Sequence, residues 1–152
     1  MDEMKITREV YDAIVENLST RTTECGGVLG AGADGIVSEF YFDATGQSNP
    51  NGYAPDVNAI NKMLINDWMP HSILMVGIVH SHVNGVDVPS CGDINYGIRI
   101  LQALDTVDRF YLPIVVFREG RAEMTCYAIL SDPVHNFICK KIPYEIIDKI
   151  GS

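Results

Sequence analysis

The run Ile73-Leu74-Met75-Val76-Gly77-Ile78-Val79 is short, nearly continuous in apolar character, and ends on His80-Ser81-His82. A strand with no polar alternation is one covered on both faces, so this run predicts such a strand in a sheet flanked by helices. The flanking segments supply those helices. Thr7 is placed to cap a helix over about residues 8–18, with Val10, Tyr11, Ile14, Val15 and Leu18 on one face. Asp56 reads as the start of a second helix, with Val57, Ile60, Met63, Leu64 and Trp68 as its apolar stripe and Pro70 just beyond its end. Ser90 to Thr106 reads as a third, with Ile94, Ile98, Leu101 and Leu104 or Ala103 inward. Tyr144 to Ile150 reads as a short terminal helix.

Further strands fall between these helices. Cys25-Gly26-Gly27-Val28-Leu29-Gly30 and Ile36 to Phe42 form a predicted hairpin around the turn Ala31–Gly35. Phe110 to Phe117 and Ala122 to Leu130 form another, joined by Arg118-Glu119-Gly120-Arg121. Residues 43–55, rich in Gly, Asn and Pro, predict a loop long enough to carry function. The mixed order makes this an α/β chain, a sheet flanked by helices.

Its 152 residues predict one domain over 1–152, with roughly two thirds of the unfolded surface buried and no need of disulfide staples. Four cysteines form no Cys-x-x-Cys pair, so zinc-ribbon and thioredoxin-type motifs are absent. With 20 acidic against 11 basic residues the net charge is -9, and Lys140-Lys141 is the nearest approach to a basic cluster. Phosphate backbones repel such a surface, so nucleic acid is not an expected partner; a solvated acidic exterior is favoured over a dock for basic patches. No apolar run reaches the ~18 residues of a membrane span, and the segment Met1 to Lys5 has no signal-like apolar core. The expectation is a cytoplasmic protein with reduced thiols and no membrane partner.

The chemistry concentrates in the segment from His80 to Asp93. In an extended chain, residues two apart point to the same side, so His80 and His82 offer two imidazoles to one ion. Two His and one carboxylate with an open fourth position make a catalytic zinc set rather than a closed structural one. Asp93, near the start of the third helix, is the candidate third ligand, and its charge suits a helix N-terminus. Ser90, three residues earlier, either caps that helix or faces a metal-bound water and a substrate carbonyl. Such a site needs a general base, and Glu24, a carboxylate set directly before Gly26-Gly27 and an apolar strand, is the candidate.

Glu24, then His80-Ser81-His82, then seven residues, then Ser90-Cys91-Gly92-Asp93, together resemble the JAMM motif of the JAB/MPN metallopeptidase family. The segment Glu24 to Gly30 resembles that family's first motif block, and the likeness spans roughly residues 7–130. It implies Zn2+ held by His80, His82 and Asp93 with a water, Glu24 as general base and acid, and Ser90 stabilising the oxyanion. It also implies a three-layer α/β/α arrangement around a mixed sheet, related to the cytidine-deaminase fold. Many members carry Pro directly after the second His, where Val83 stands here. A zinc deaminase itself would need His-x-Glu and Pro-Cys-x-x-Cys, and Pro89-Ser90-Cys91-Gly92-Asp93 supplies neither.

The resemblance implies a metallopeptidase or isopeptidase acting beside the C-terminal tail of a ubiquitin-like or sulfur-carrier protein, as in the stand-alone bacterial branch. The alternatives are a non-catalytic MPN-type scaffold, and a zinc hydrolase of a small peptide or thiocarboxylate. Residues 43–55 and 83–89 are expected to shape the substrate groove. His71 and His135 fall outside the pattern and read as surface or capping residues, Asp87 as a solvated turn residue and Trp68 as core. Cys25 is expected to point away from the metal into the core, and Cys91 to be an ordinary packed thiol.

Overall fold

The computed structural model describes residues 2–49, 52–104 and 108–148. Strand β1 (Met4–Thr7) runs directly into helix α1 (Arg8–Leu18), and the Thr7 hydroxyl caps that helix by accepting from the Val10 amide. Val10, Ile14 and Leu18, four residues apart, are the buried positions of α1. Strands β2 (Gly26–Ala31) and β3 (Val37–Phe42) form the expected antiparallel hairpin. The predicted loop 43–55 holds a small hairpin of its own, β4 (Gln47–Asn49) and β5 (Gly52–Ala54), in a separate two-stranded sheet.

Asp56 caps helix α2 (Val57–Met63) through the Ala59 amide. The chain then winds on as a wider turn over Leu64–Trp68 and a tight one over Met69–His71, so Pro70 lies inside the helical run rather than beyond it. Ser72 ends it at φ 59°. Ile60 and Trp68 are buried, whereas Val57, expected on the inner stripe, is exposed. Strand β6 (Leu74–Ser81) is buried from Val76 onward and pairs antiparallel with β2 and parallel with the next strand, which bears out its reading as covered on both faces. Helix α3 (Cys91–Ala103) starts as read. It stops at Ala103, because Leu104 turns extended, and Thr106 lies outside the described residues.

Strands β7 (Arg109–Arg118) and β8 (Arg121–Asp132) pair along their whole length around Glu119 and Gly120, both at positive φ, as a two-residue hairpin turn demands. Two strands follow, the second of them where a terminal helix was expected. Strand β9 (Asn136–Ile142) pairs with β8, and β10 (Tyr144–Ile147) lies parallel to β1, residue for residue. The short apolar run Tyr144–Ile147 has no periodicity to fix its state, and pairing with the far end of the chain decides it. Ile150 lies outside the described residues.

The eight-stranded mixed sheet runs β10-β1-β3-β2-β6-β7-β8-β9. Only Pro143 separates β9 at one edge from β10 at the other, and the Met4 amide donates to its carbonyl at 3.0 Å. The sheet therefore curls until its ends meet. Cys126 of β8 touches Met4 of β1, and both join Val10, Ile14 and Leu18 in one apolar cluster. Alternate residues of the same strands pack elsewhere: Ile78, Leu112 and Phe110 with Leu101 of α3, and Val28 with Ile60 and Trp68. No described helix is long and apolar enough to cross a membrane.

Candidate metal centre

The strand pairing brings the chemistry together. Gly26 of β2 lies opposite His80 of β6, and the ladder continues as the Ser81 amide donates to the Cys25 carbonyl at 2.9 Å. Glu24, just before β2, is thereby set beside the end of β6. His80 and Ser81 are still inside that strand, slightly later than the sequence placed its end, and His82 follows with its amide bonded to the Val115 carbonyl at 3.0 Å. Strand alternation sends His80 and His82 to one side and Ser81 to the other, where it meets Cys25. Cys25 is buried in the α1 cluster, as expected.

Asp93 arrives from the first turn of α3. Its Oδ2 lies 3.2 Å from His80 Nε2 and 3.6 Å from His82 Nε2, while the two Nε2 atoms are 2.8 Å apart. Metal–ligand bonds of 2.0–2.1 Å in tetrahedral geometry put ligand atoms about 3.3 Å from one another. The three separations bracket that value, so the three donor atoms are spaced as ligands of one metal ion are. Glu24 Oε1 lies 4.0 Å from His82 Nε2, and Glu24, His80 and His82 each bring a ligand atom within 4.8 Å of the other two. These three residues lie close enough to bind a metal ion, and Asp93 approaches the imidazoles more closely than Glu24 does.

Local chemistry orients the donors. His82 Nδ1 lies 2.7 Å from the Val86 carbonyl oxygen, which turns Nε2 toward the cluster. Ser90 and Asp93 form a reciprocal capping box: the Asp93 amide donates to Ser90 Oγ at 3.1 Å, and the Ser90 amide donates to Asp93 Oδ2 at 2.8 Å. The capping reading of Ser90 is realised, and its hydroxyl still has a proton to donate. Burial works against a charged Asp93, but hydrogen bonds from His80 and His82 outweigh it and hold its carboxyl far below the usual carboxylate range. Burial likewise works against a charged His82. The hydrogen bonds with Asp93 and with Val86, aided by the Glu24 and Asp93 charges, still leave its pKa above the ordinary histidine value.

The cluster opens into a cleft of about 580 Å³. Its floor includes Ile78 and Leu112, which share the His80 face of the sheet, and its walls include Gly52 to Pro55, Asn84 and Tyr96. Both expected groove segments therefore contribute to it. Tyr53 and Tyr96 had no sequence signal beyond the length of loop 43–55 and the inward side of α3. Cys91 corrects an expectation: as the first residue of α3 it is exposed rather than packed. His71 and His135 are exposed and away from the site, and Trp68 fills the core; Asp87, half-buried, accepts from Thr125 at 3.3 Å.

No model of a protein family matches the chain, and no curated protein sequence matches it. Solved structures do. Protein DSY2949 from Desulfitobacterium hafniense superposes with a TM-score of 0.56 at 15% identity, over 96% of this chain and 95% of that one. AF2198, a JAB1/MPN domain protein from Archaeoglobus fulgidus, superposes with a TM-score of 0.54 at 18% identity, over 95% of this chain and 100% of that one. With a curled mixed sheet, flanking helices and these two neighbours, the chain has an MPN-like α/β fold.

Proposed function

We propose that the chain is a zinc-dependent peptidase or isopeptidase, a single JAB/MPN domain over 1–152 of the three-layer α/β/α kind. His80, His82 and Asp93 would hold the metal, Glu24 is the general base and acid, and Ser90 is the oxyanion donor. The observation that carries this is the meeting of two imidazoles and a carboxylate at 2.8, 3.2 and 3.6 Å, with a second carboxylate 4.0 Å from His82. A zinc ion held by that set would supply Lewis acidity, polarising a carbonyl and lowering the pKa of a water to about 7.

The protein's own groups supply the rest. Glu24, half-buried in the wall of the cleft, accepts the proton of the attacking water at Oε1 and returns it to the leaving amine. Ser90 already accepts from the Asp93 amide, so its hydroxyl proton points the other way, to the developing oxyanion. The capping box holds Asp93 in place without help from the metal. The cleft of about 580 Å³ beside the cluster would receive a substrate tail.

The substrate in this reading is the C-terminal tail of a ubiquitin-like or sulfur-carrier protein, bound at the cleft in extended form. The test is cleavage of ubiquitin-like fusions by zinc-loaded wild type and by Glu24→Gln, with and without a chelator. Wild type cleaves, while the variant and the chelated protein do not, and Glu24→Gln still binds one zinc per chain. Equal cleavage by both proteins removes Glu24 from the mechanism. Absence of stoichiometric zinc favours the non-catalytic scaffold.

A further inference from the structure

The cleft wall made by residues 52–55 belongs to a short separate hairpin, and something must hold it against the main sheet. The buried carboxylate of Asp43, 2% exposed and one residue past β3, is the central contact. Its Oδ2 accepts from the Tyr53 hydroxyl at 2.6 Å and from the Asp56 amide at 2.9 Å. Its own amide donates to the Gly26 carbonyl at 3.0 Å, tying it to the strand that faces His80. Asp56, held at one end by Asp43, caps α2 and accepts from Thr45 Oγ1 at 2.7 Å. One carboxylate thus holds both Tyr53 and the Asp56 backbone, on either side of the wall residues Ala54 and Pro55.

The Tyr53 ring sits where only glycine leaves room. A Cβ on Gly26 would come within 2.9 Å of Tyr53 Cε2, and one on Gly46 within 2.7 Å of Tyr53 Cε1. The ring lies nearly parallel to that of His80, at 24° and 6.4 Å between centroids. Burial, reinforced by Asp43, pushes the phenol far above its ordinary pKa, so Tyr53 serves the cleft by its place and not by giving up a proton.

We infer that Asp43 and Tyr53 are positioning residues, a buried clamp that holds the wall formed by residues 52–55 beside His80 and so sets the width of the cleft for the substrate tail. Burying a carboxylate is costly unless it is hydrogen-bonded, and the two bonds to Oδ2 are what this one holds. The kinetic consequence rests on the hydrolase reading; the structural one does not.

The experiment compares the zinc-loaded full chain with Asp43→Ala, Asp43→Asn and Tyr53→Phe by hydrogen–deuterium exchange. Asp43→Ala removes two hydrogen bonds to a charged acceptor and Tyr53→Phe one of them, so exchange in 52–56 rises by about tenfold or more while β6 and α3 stay as in wild type. Asp43→Asn keeps an acceptor oxygen and stays within about threefold. Zinc remains at one per chain throughout. With a ubiquitin bearing a C-terminal fluorogenic amide as probe, Tyr53→Phe raises KM and spares kcat.

Unchanged exchange in Tyr53→Phe, a variant that deletes one oxygen and so tests the clamp even should Asp43→Ala fail to fold, overturns the inference. So does a loss of kcat at constant KM. Should the exchange pattern hold while wild type cleaves nothing, the clamp stands and the hydrolase reading fails.

Discussion

His82 Nδ1 faces the carbonyl oxygen of Val86 at 2.7 Å. A carbonyl only accepts, so Nδ1 carries the proton of the neutral imidazole and Nε2 keeps its lone pair for the cluster. The loop that makes this bond is itself fixed. The Val86 amide donates to Asn84 Oδ1 at 3.0 Å, Gly85 takes φ +79°, and Arg118 Nη2 reaches across from β7 to the Gly85 carbonyl at 2.7 Å. Asn84→Ala and Arg118→Ala are each expected to weaken zinc binding by about 10-fold, at the lower end of what outer partners of metal ligands contribute. Chelator competition measures this; affinities equal to wild type would mean the tautomer is set elsewhere.

Asp93 has two duties that single substitutions separate. Asp93→Asn keeps an acceptor for the Ser90 amide, so the helix cap survives while the anionic ligand is lost. Its zinc affinity should fall by more than about 100-fold, beyond the range of outer partners. Ser90→Ala does the reverse: it removes the cap, costing about 1 kcal/mol in a urea melt, and leaves zinc bound. If Ser90 also serves the oxyanion, kcat drops by roughly 10²–10³ in the same variant. Retention of full activity would confine Ser90 to capping.

The pKa directions predict opposite pH trends with and without metal. In the metal-free protein, Asp93 is lowered from 3.8, so its contribution is present above that value and lost as pH falls through its folded pKa. His82 is raised from 6.5, so its contribution is present below that value and lost as pH rises through its folded pKa. The pair therefore stabilises the metal-free chain most between those limits, losing the His82 contribution in alkali and the Asp93 contribution in acid. Zinc needs the unprotonated imidazole, so its stabilisation grows as pH rises. The difference in Tm between zinc-loaded and chelated protein should widen from pH 6 to pH 8, and a constant difference would exclude an imidazole ligand.

Two glycines at the site predict opposite results. A Cβ on Gly26 would collide with the Val79 carbonyl oxygen, which the paired strand cannot move aside. Gly26→Ala should cost about 1–3 kcal/mol by urea unfolding. Gly92, in the first turn of α3, offers open space to a Cβ, whose nearest neighbour would be Ser90 Oγ at 3.7 Å. Gly92→Ala should gain up to about 1 kcal/mol from helix propensity and narrow the mouth of the cleft. A destabilised Gly92→Ala would contradict the open space described there.

The site was more legible in the sequence than the edges of the fold. His80, His82 and Asp93 lie within one short segment, where strand alternation and a helix cap constrain direction directly. Glu24 needed only an unexplained carboxylate at the start of a strand. By contrast β1, β9 and β10 were missed. Tyr144–Ile147 is strand because it pairs with Met4–Thr7, a partner about as far away as the chain allows. The Asp43–Tyr53 clamp was hidden for a similar reason: turn-forming residues mark 43–55 as a loop, but nothing local says that a carboxylate there turns inward. Cys91 was misjudged because nothing local distinguishes a packed from an exposed thiol there, and as the first residue of α3 it faces outward.

Because the curled sheet closes through Pro143, Met4 and Ile6 share one apolar interior with Ile142, and Ile146 packs against it. All the residues of the candidate metal centre leave the ribosome before that interior can close. A growing chain holding residues 24–118 has the side chains of the candidate metal centre but still lacks the last strands that seal α1 in. Protease resistance of stalled nascent chains should therefore appear late and all at once, only when β10 has been synthesised and reached β1.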